Sequence, residues 1–434
     1  MHRRVVITGV GVISPCGTGK KDFWANVKAG KSGINEITRF DTRDFPTKVA
    51  GEVKNFDSKW YMEPKAVLRT DLATQFAVNA ACMAAEDSGI YHNGLDPERF
   101  GVSVGTTLGG LIFALEQHGI LMEKGASRMN PFTASAAFPN AASSQISIHL
   151  RAKGPSYTIS NACTSSFDAI GFAYYMIRSG MMDVMVSGGA DAPLYPTIFS
   201  AFCLSRIMSQ KMNGTPKPFD INRDGIILGE GSGMLILEDL GHAIHRDAKI
   251  YAEILGYASA CDAYHMTSYE PTGNGAFRAV KGVLEESRIL PDEIEFIQAY
   301  ANATLVNDIA ETIIIKKTFN DYAYKIPITS LKSLFGHVQS ASGAIELIAS
   351  LGAMEDSVIP PTINYETPDP DCDLNYVVNT SIKKSFRLML ANCFGFGGKN
   401  SALVLKKFEE KFICAFILEI LEILKMFAPV FHNG

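Results

Sequence analysis

Residues 154–191 read GPSYTISNACTSSFDAIGFAYYMIRSGMMDVMVSGGAD, a strand, a sharp turn, a helix and a second strand. Residues 156–160 are polar and β-prone, the turn carries Asn161-Ala162-Cys163-Thr164-Ser165-Ser166, and a helical pattern runs on to Ile177. An apolar strand then starts at Asp183 and ends in Gly188-Gly189. A cysteine at the junction of strand and helix meets unpaired N–H groups and the positive end of the helix dipole, which favour thiolate over thiol. Cys163 is therefore the candidate nucleophile. The other seven cysteines (Cys16, Cys82, Cys203, Cys261, Cys372, Cys393 and Cys414) have no such setting and read as small buried hydrophobes, the commoner fate of a free cysteine.

Outward from this unit the same rhythm continues. Strands are expected at 4–12, 100–105, 225–237, 250–257, 294–300, 326–329, 388–392 and 401–406, with helices at 20–29, 71–88, 274–287, 307–319 and 341–354. Alternating β and α units in both halves predict an α/β protein with covered parallel or mixed sheets, and the repeated rhythm suggests an internal duplication. The Gly-Glu-Gly-Ser-Gly run at 229–233 leads into a strand, so its glycines read as points of close backbone approach rather than a phosphate loop.

Composition narrows the function. With 434 residues, 47% of them hydrophobic, the chain can build more than one core unit. A formal net charge of −5 argues against nucleic acid as a partner. Eight cysteines without framework spacing or a C-x-x-C pair point to a reduced, cytoplasmic setting and imply no zinc. The N-terminus enters a strand pattern with no cleavable apolar core, and no transmembrane segment is expected. Residues 409–434 form an apolar extension interrupted by charges; it reads as a short helix covering a groove or making weak contact with a membrane surface, or equally as an unpacked tail.

Long segments in a fixed order then identify a resemblance: RVVITGVGVISPCG, GPSYTISNACTSS, DVMVSGGAD, KPFDINRDGIILGEGSGMLILED, CDAYHMTS, LKSLFGHVQSASGAIE and NCFGFGGKN. The chain resembles the elongating β-ketoacyl-acyl-carrier-protein synthases, type II polyketide relatives included, over residues 1–408. The resemblance implies a thiolase-like fold, with two duplicated βαβαβαββ halves in a five-layer αβαβα arrangement. It places one half at 1–250 with Cys163 and the other at 251–408. The implied reaction is a decarboxylative Claisen condensation, in which an acyl group carried on Cys163 joins a malonyl unit from a carrier protein. Phosphopantetheine would arrive on that carrier, no metal is expected, and the partners would be acyl carrier protein and a second, identical or related, subunit.

Residue roles follow from the same likeness. Cys163 and Phe396 would supply the backbone oxyanion hole, with Phe396 also a gate. His337 would steady the enolate through Nε2, while Lys332 and Glu346 would support it electrostatically. Thr304 and Asn302 fall at pantetheine positions, where Asn302 replaces a threonine. Leu108, Phe202, Thr133 and Ala134 match the acyl pocket, the last two reaching across a dimer interface. Lys65, Arg69, Arg128 and Arg206 match basic positions for carrier docking. One departure stands out. The family's first catalytic histidine aligns with Tyr300, because Asn307-Asp308 and Glu311-Thr312 pin the register. A phenol of pKa about 10 donates a hydrogen bond but accepts protons poorly near neutrality. Two enzymatic readings follow, a working synthase and a condensation-impaired member that transfers acyl groups or sets chain length beside an active partner. A third is a pseudoenzyme valued for its dimer surface.

Overall fold

The computed structural model of the protein describes residues 2–91 and 95–409. The apolar extension expected from 409 onward therefore lies outside the described residues, Glu409 excepted, as does Cys414.

Among the described residues ten strands build the main sheet, and a short strand, Gly17–Thr18, pairs with the first of them. The first half contributes β1 (Val5–Ser14), β2 (Phe100–Gly105), β3 (Ser156–Ile159), β4 (Val184–Asp191) and β5 (Gly231–Asp239). The second contributes β6 (Ala252–Cys261), β7 (Phe296–Gln298), β8 (Ile328–Thr329), β9 (Leu388–Gly395) and β10 (Lys399–Lys407). β1 and β4 are buried along their whole length, which is why they read as unbroken apolar runs rather than alternating ones.

In space the first half runs β3-β2-β4-β5-β1 and the second β8-β7-β9-β10-β6. The second strand in each order is parallel to both neighbours (β2 to β3 and β4, β7 to β8 and β9). The fourth is antiparallel to both of its own (β5 to β4 and β1, β10 to β9 and β6). Order and direction thus repeat strand for strand, the duplication that the sequence rhythm suggested. The halves join where Val5–Ile7 of β1 pairs with β6.

Helices supply the remaining layers. α1 (Leu72–Ser88) covers β1, β5 and β4 from outside; α3 (Asn274–Ser287) covers β6 and β10 and packs on α4 (Leu305–Phe319). Between the two strand sets lie α2 (Ser165–Arg178), which touches β4 and β2 on one side and β6 and β10 on the other, and α5 (Ser342–Asp356), packed on β5, β1 and β9. This is the expected αβαβα order. α5 is buried from Ser342 to Met354, and glycines let its neighbours close in. A Cβ on Gly343 would stand 2.5 Å from the Phe167 ring of α2, and one on Gly233 of β5 would stand 2.8 Å from the Ala344 backbone. The glycines of 229–233 are indeed points of close approach.

Three expectations need correction. The strand placed at 225–237 begins only at Gly231, because the preceding residues make isolated bridges, Ile226 to Met208 and Leu228 to His337. Helices Leu111–Lys124, Ala141–Leu150 and Pro196–Leu204 were not anticipated. Cys261 is exposed and Cys82 partly so, rather than buried, because both sit near the solvent side of their elements.

Candidate active site

Cys163 stands in the turn between β3 and α2. Ala162 before it has φ +52°, a left-handed conformation that costs a non-glycine residue about 1–3 kcal/mol. Hydrogen bonds hold it there: Asn161 N–H to Ser165 Oγ (2.8 Å), Ser165 Oγ–H to Ala162 O (2.6 Å), and Thr164 Oγ1–H to Asp168 Oδ2 (2.9 Å). Asp168 also accepts from Asn161 Nδ2 (2.8 Å), from Tyr257 (2.7 Å) and from Ser401, so one carboxylate in the first turn of α2 ties the elbow to both β6 and β10. Close by, Gly395 ends β9 against the elbow, where a Cβ would meet Cys163 N at 3.1 Å. The peptide that follows directs the Phe396 N–H at the Cys163 sulfur.

The thiol is only 7% exposed. Burial pushes its pKa above the ordinary value, and the opposing influences, the Tyr300 hydroxyl first, then the Phe396 N–H and the Lys332 charge, recover only part of that rise. The helix terminus alone thus does not make a resting thiolate, as the sequence had suggested, because desolvation outweighs it.

Strand β7 and the turn after it deliver Tyr300. Its backbone N–H and that of Ala301 donate to Glu311 Oε1 and Oε2 (3.0 and 2.7 Å), and Asn392 Nδ2 donates to the same carboxylate (3.0 Å). The Tyr300 side chain is fully buried, with the Lys332 ammonium 4.3 Å from its ring centroid. Lys332 in turn donates to Glu346 Oε1 at 2.7 Å, and both side chains are 1% exposed. Burial pushes the Glu346 carboxyl up to about 7 against the pull of Lys332.

His337 lies in the turn after helix Lys332–Phe335. Its Nδ1 accepts from Gln339 N–H (3.0 Å) and faces Ser342 Oγ (3.4 Å), which leaves the hydrogen on Nε2. That Nε2–H meets the Tyr300 hydroxyl at 3.0 Å. Burial and the Lys332 charge hold the imidazole pKa down at about 3, so the ring is neutral. The structure therefore gathers Cys163, Tyr300, His337, Lys332, Glu346 and the Phe396 N–H in one buried cluster.

A cleft of about 410 Å³ lies over the cluster, lined among others by Tyr269, Asn302, Thr304, Phe396 and Arg206. Asn302 Oδ1 accepts from Thr304 Oγ1–H (2.8 Å), and its Nδ2 stands 3.5 Å from the Tyr300 hydroxyl. Leu108 borders the elbow: its N–H donates to Asp191 (3.0 Å), and Thr107 Oγ1 reaches Ala162 O (3.3 Å). Phe202 packs in a separate cluster with Phe199 and Ile207. Thr133 and Ala134 sit on a short helix at the surface, Ala134 exposed. Lys65, Arg69 and Arg128 are exposed too, Arg69 stacked 4.2 Å over Phe132, and of the four basic positions only Arg206 borders the cleft.

The sequence reading missed Tyr269, which lines the cleft, and the buried acceptors Asp168, Asp191 and Glu311. The acids left a signal, charged residues inside otherwise apolar elements; Tyr269, one place past CDAYHMTS, left none beyond its position.

Comparison with known proteins agrees with this geometry. Residues 2–243 match the model of the beta-ketoacyl synthase N-terminal domain, and residues 251–366 that of the C-terminal domain. A 3-oxoacyl-[acyl-carrier-protein] synthase 2 of Synechocystis sp. is 41% identical over 411 residues, 94% of this chain and 99% of that protein. The protein of that name in Coxiella burnetii is 40% identical over 93% of this chain and 99% of its own. Among solved structures, a type II polyketide ketosynthase in complex with its acyl-carrier protein superposes with TM-score 0.87 at 34% identity, covering 94% of this chain and 100% of that one. The ishigamide ketosynthase/chain length factor does so with TM-score 0.88 at 35% identity and the same coverage.

Proposed function

This chain belongs to the beta-ketoacyl synthase family, and from that premise we propose that it works as a 3-oxoacyl-[acyl-carrier-protein] synthase, an acyltransferase of the condensing type with Cys163 as its nucleophile. The thiolate of Cys163 attacks the carbonyl carbon of an acyl thioester. The tetrahedral oxyanion is held by the N–H groups of Cys163 and Phe396, and collapse expels the pantetheine thiolate, which takes up a proton in place of the one that the Cys163 thiol lost, so that thiol and thioester simply exchange. A malonyl thioester next loses carbon dioxide. The resulting enolate carbon attacks acyl-Cys163, and the sulfur leaves with the electron pair of the broken C–S bond, giving the 3-ketoacyl thioester. His337 Nε2–H is the donor for the enolate oxygen, in the neutral form its burial enforces.

The observation that carries this reading is a neutral His337 whose Nε2–H meets the Tyr300 hydroxyl at 3.0 Å, with the Lys332 ammonium 4.3 Å from the Tyr300 ring centroid, near a buried Cys163 whose turn the end of β9 closes on at Gly395. Acyl-carrier protein would bring its phosphopantetheine arm down the cleft past Arg206, with Thr304 and Asn302 along the arm. The outer edge of β3, where Ser156 and Tyr157 are exposed, is an open strand edge, and Phe138 and Ile148 nearby are exposed as well. Open edges of this kind are templates for pairing, so a second copy or a related subunit would dock there. Docking would bring Thr133 and Ala134 toward the partner's acyl pocket. No helix of the described residues is long and apolar enough to cross a membrane, and a nucleophile that must stay reduced suits the cytoplasm.

A second reading has its own observation. The Nε2–H of His337 is already engaged by the Tyr300 oxygen, so condensation must first break that bond, whereas acylation of Cys163 need not. This favours a member that transfers acyl groups, or sets chain length, more readily than it condenses. Incubation with acyl- and malonyl-carrier protein, followed by intact mass analysis, separates the two: the synthase gives acyl-Cys163 and then a ketoacyl product, the second reading acyl-Cys163 alone. No mass shift on Cys163 overturns both. Because His337 stays neutral down to about pH 3, the rate of the enolate step should show no inflection at the ordinary histidine pKa of about 6.5. A rate falling through that value in Tris- and phosphate-buffered profiles would contradict this.

A further inference from the structure

We propose that Asn302 is a catalytic residue of this chain: its side-chain amide is the second donor, beside His337 Nε2–H, for the oxygen of the malonyl thioester. The inference rests on the condensing reading above and gives Asn302 more than a place along the pantetheine arm.

Two N–H donors from different segments converge on one oxygen of the chain itself. His337 Nε2 stands 3.0 Å and Asn302 Nδ2 3.5 Å from the Tyr300 hydroxyl oxygen. The orientation of the amide is fixed by its partners. Asn302 Oδ1 accepts from the Thr304 N–H at 3.2 Å and from Thr304 Oγ1–H at 2.8 Å, which leaves the nitrogen and its hydrogens facing Tyr300. The backbone is pinned as well, since Asn302 N–H donates to Asp308 Oδ1 at 3.0 Å. A donor held in this way, on a residue only 3% exposed, needs no reorganisation when charge grows in front of it.

The two donors are not equally engaged. At 3.0 Å the His337 bond is formed, whereas 3.5 Å is the outer limit of a hydrogen bond, and Asn302 Nδ2 makes no other among the described residues. The amide therefore has a donor to spare. It also stands where substrate arrives: Asn302 lines the cleft with Thr304 and Phe396, while neither Tyr300 nor His337 borders it. A thioester oxygen moving in along the cleft meets the Asn302 amide first, and reaches His337 Nε2–H only as the Tyr300 oxygen gives way. As the bond to carbon dioxide breaks, its electron pair passes to the thioester oxygen and both N–H···O bonds shorten. No proton leaves the amide. A threonine, the residue that the family resemblance places at 302, ends one bond sooner and falls short of that point. The two departures in this turn thus offset each other, an imidazole donor lost at 300 and an amide donor gained at 302.

The test measures, by calorimetry on the full chain, the binding of two malonyl-pantetheine analogues that cannot turn over. One has CH2 in place of the thioester sulfur and keeps the carbonyl oxygen; in the other that carbonyl is CH2 as well. The parent should prefer the carbonyl analogue, and Asn302→Asp and Asn302→Thr should each cut that preference about fivefold, the usual worth of one neutral hydrogen bond. A parent without preference overturns the proposal. So does a variant that weakens both analogues alike, the outcome if Asn302 only lines the arm. Should Asn302→Asp not fold, Asn302→Thr decides. Where the parent makes ketoacyl product, Asn302→Thr preloaded with acyl-Cys163 should lose about 10²-fold in maximal rate at an unchanged half-saturating concentration of malonyl-carrier protein. A change in that concentration alone overturns the proposal. A parent that makes no product sinks the synthase reading instead, and the affinity ratio still decides this one.

Discussion

Replacing Tyr300 by histidine should raise the rate of ketoacyl formation from preloaded acyl-Cys163 by about 10²–10³-fold, the usual worth of one oxyanion donor. At present the Tyr300 oxygen accepts the His337 Nε2–H at 3.0 Å and occupies the space in front of it. An incoming thioester oxygen finds that donor taken. An imidazole at residue 300 keeps its nitrogen nearer the backbone, whose position is fixed by the bonds of Tyr300 and Ala301 N–H to Glu311. It would open a gap between two Nε2–H donors large enough for one oxygen. The same change removes the hydroxyl from the Cys163 sulfur, so acylation should slow while condensation quickens. Single-turnover mass analysis of each half reads the two effects separately. If condensation is no faster in Tyr300→His, the phenol is already a competent donor and the His337–Tyr300 bond yields to substrate at little cost.

The contrast between Tyr300 and Cys163 shows what the sequence could reveal. Cys163, His337, Lys332, Glu346 and Phe396 were legible because each sits in a long local segment whose pattern names its neighbours, and the structure gathers them. The strand and helix rhythm was legible for a related reason: wholly buried strands such as β1 and β4 must be apolar throughout. What stayed hidden depends on distance in space. That burial would outweigh the helix terminus at Cys163 could not be read from the turn, since the residues that enclose it come from β7, β9 and the 331–342 segment. Tyr269 was invisible for the same reason, more than thirty positions in sequence from Asn302 and Phe396, with which it lines the cleft. Helix Leu111–Lys124, with Leu111 and Met122 exposed, was missed because its exposed side is apolar and blurs the helical period.

Glu346→Ala should destabilise the fold by about 3–5 kcal/mol, the cost of leaving a buried charge without its partner. Lys332 and Glu346 are each 1% exposed, and the 2.7 Å bond between them is the only salt bridge of the Lys332 ammonium among the described residues. Equilibrium denaturation above pH 7, where the Glu346 carboxyl is ionised, measures the loss as a lower midpoint. Taking both charges away has a different outcome. Lys332→Met combined with Glu346→Leu fills similar volume with apolar groups, and such exchanges are often neutral or stabilising, so most of the lost stability should return. The chemistry should not return with it. The Lys332 charge lowers the pKa of both Cys163 and His337, so its removal raises each: the thiol becomes harder to ionise, and acylation at neutral pH slows even though the fold is intact. A double variant that is both stable and fully active would mean that the ammonium contributes nothing to the sulfur. A Glu346→Ala variant unfolding at the parent's denaturant concentration would mean that water reaches Lys332 once the carboxylate is gone. The pair therefore separates stability from catalysis: the fold tolerates both charges or neither, but not one alone, whereas the nucleophile needs the positive one.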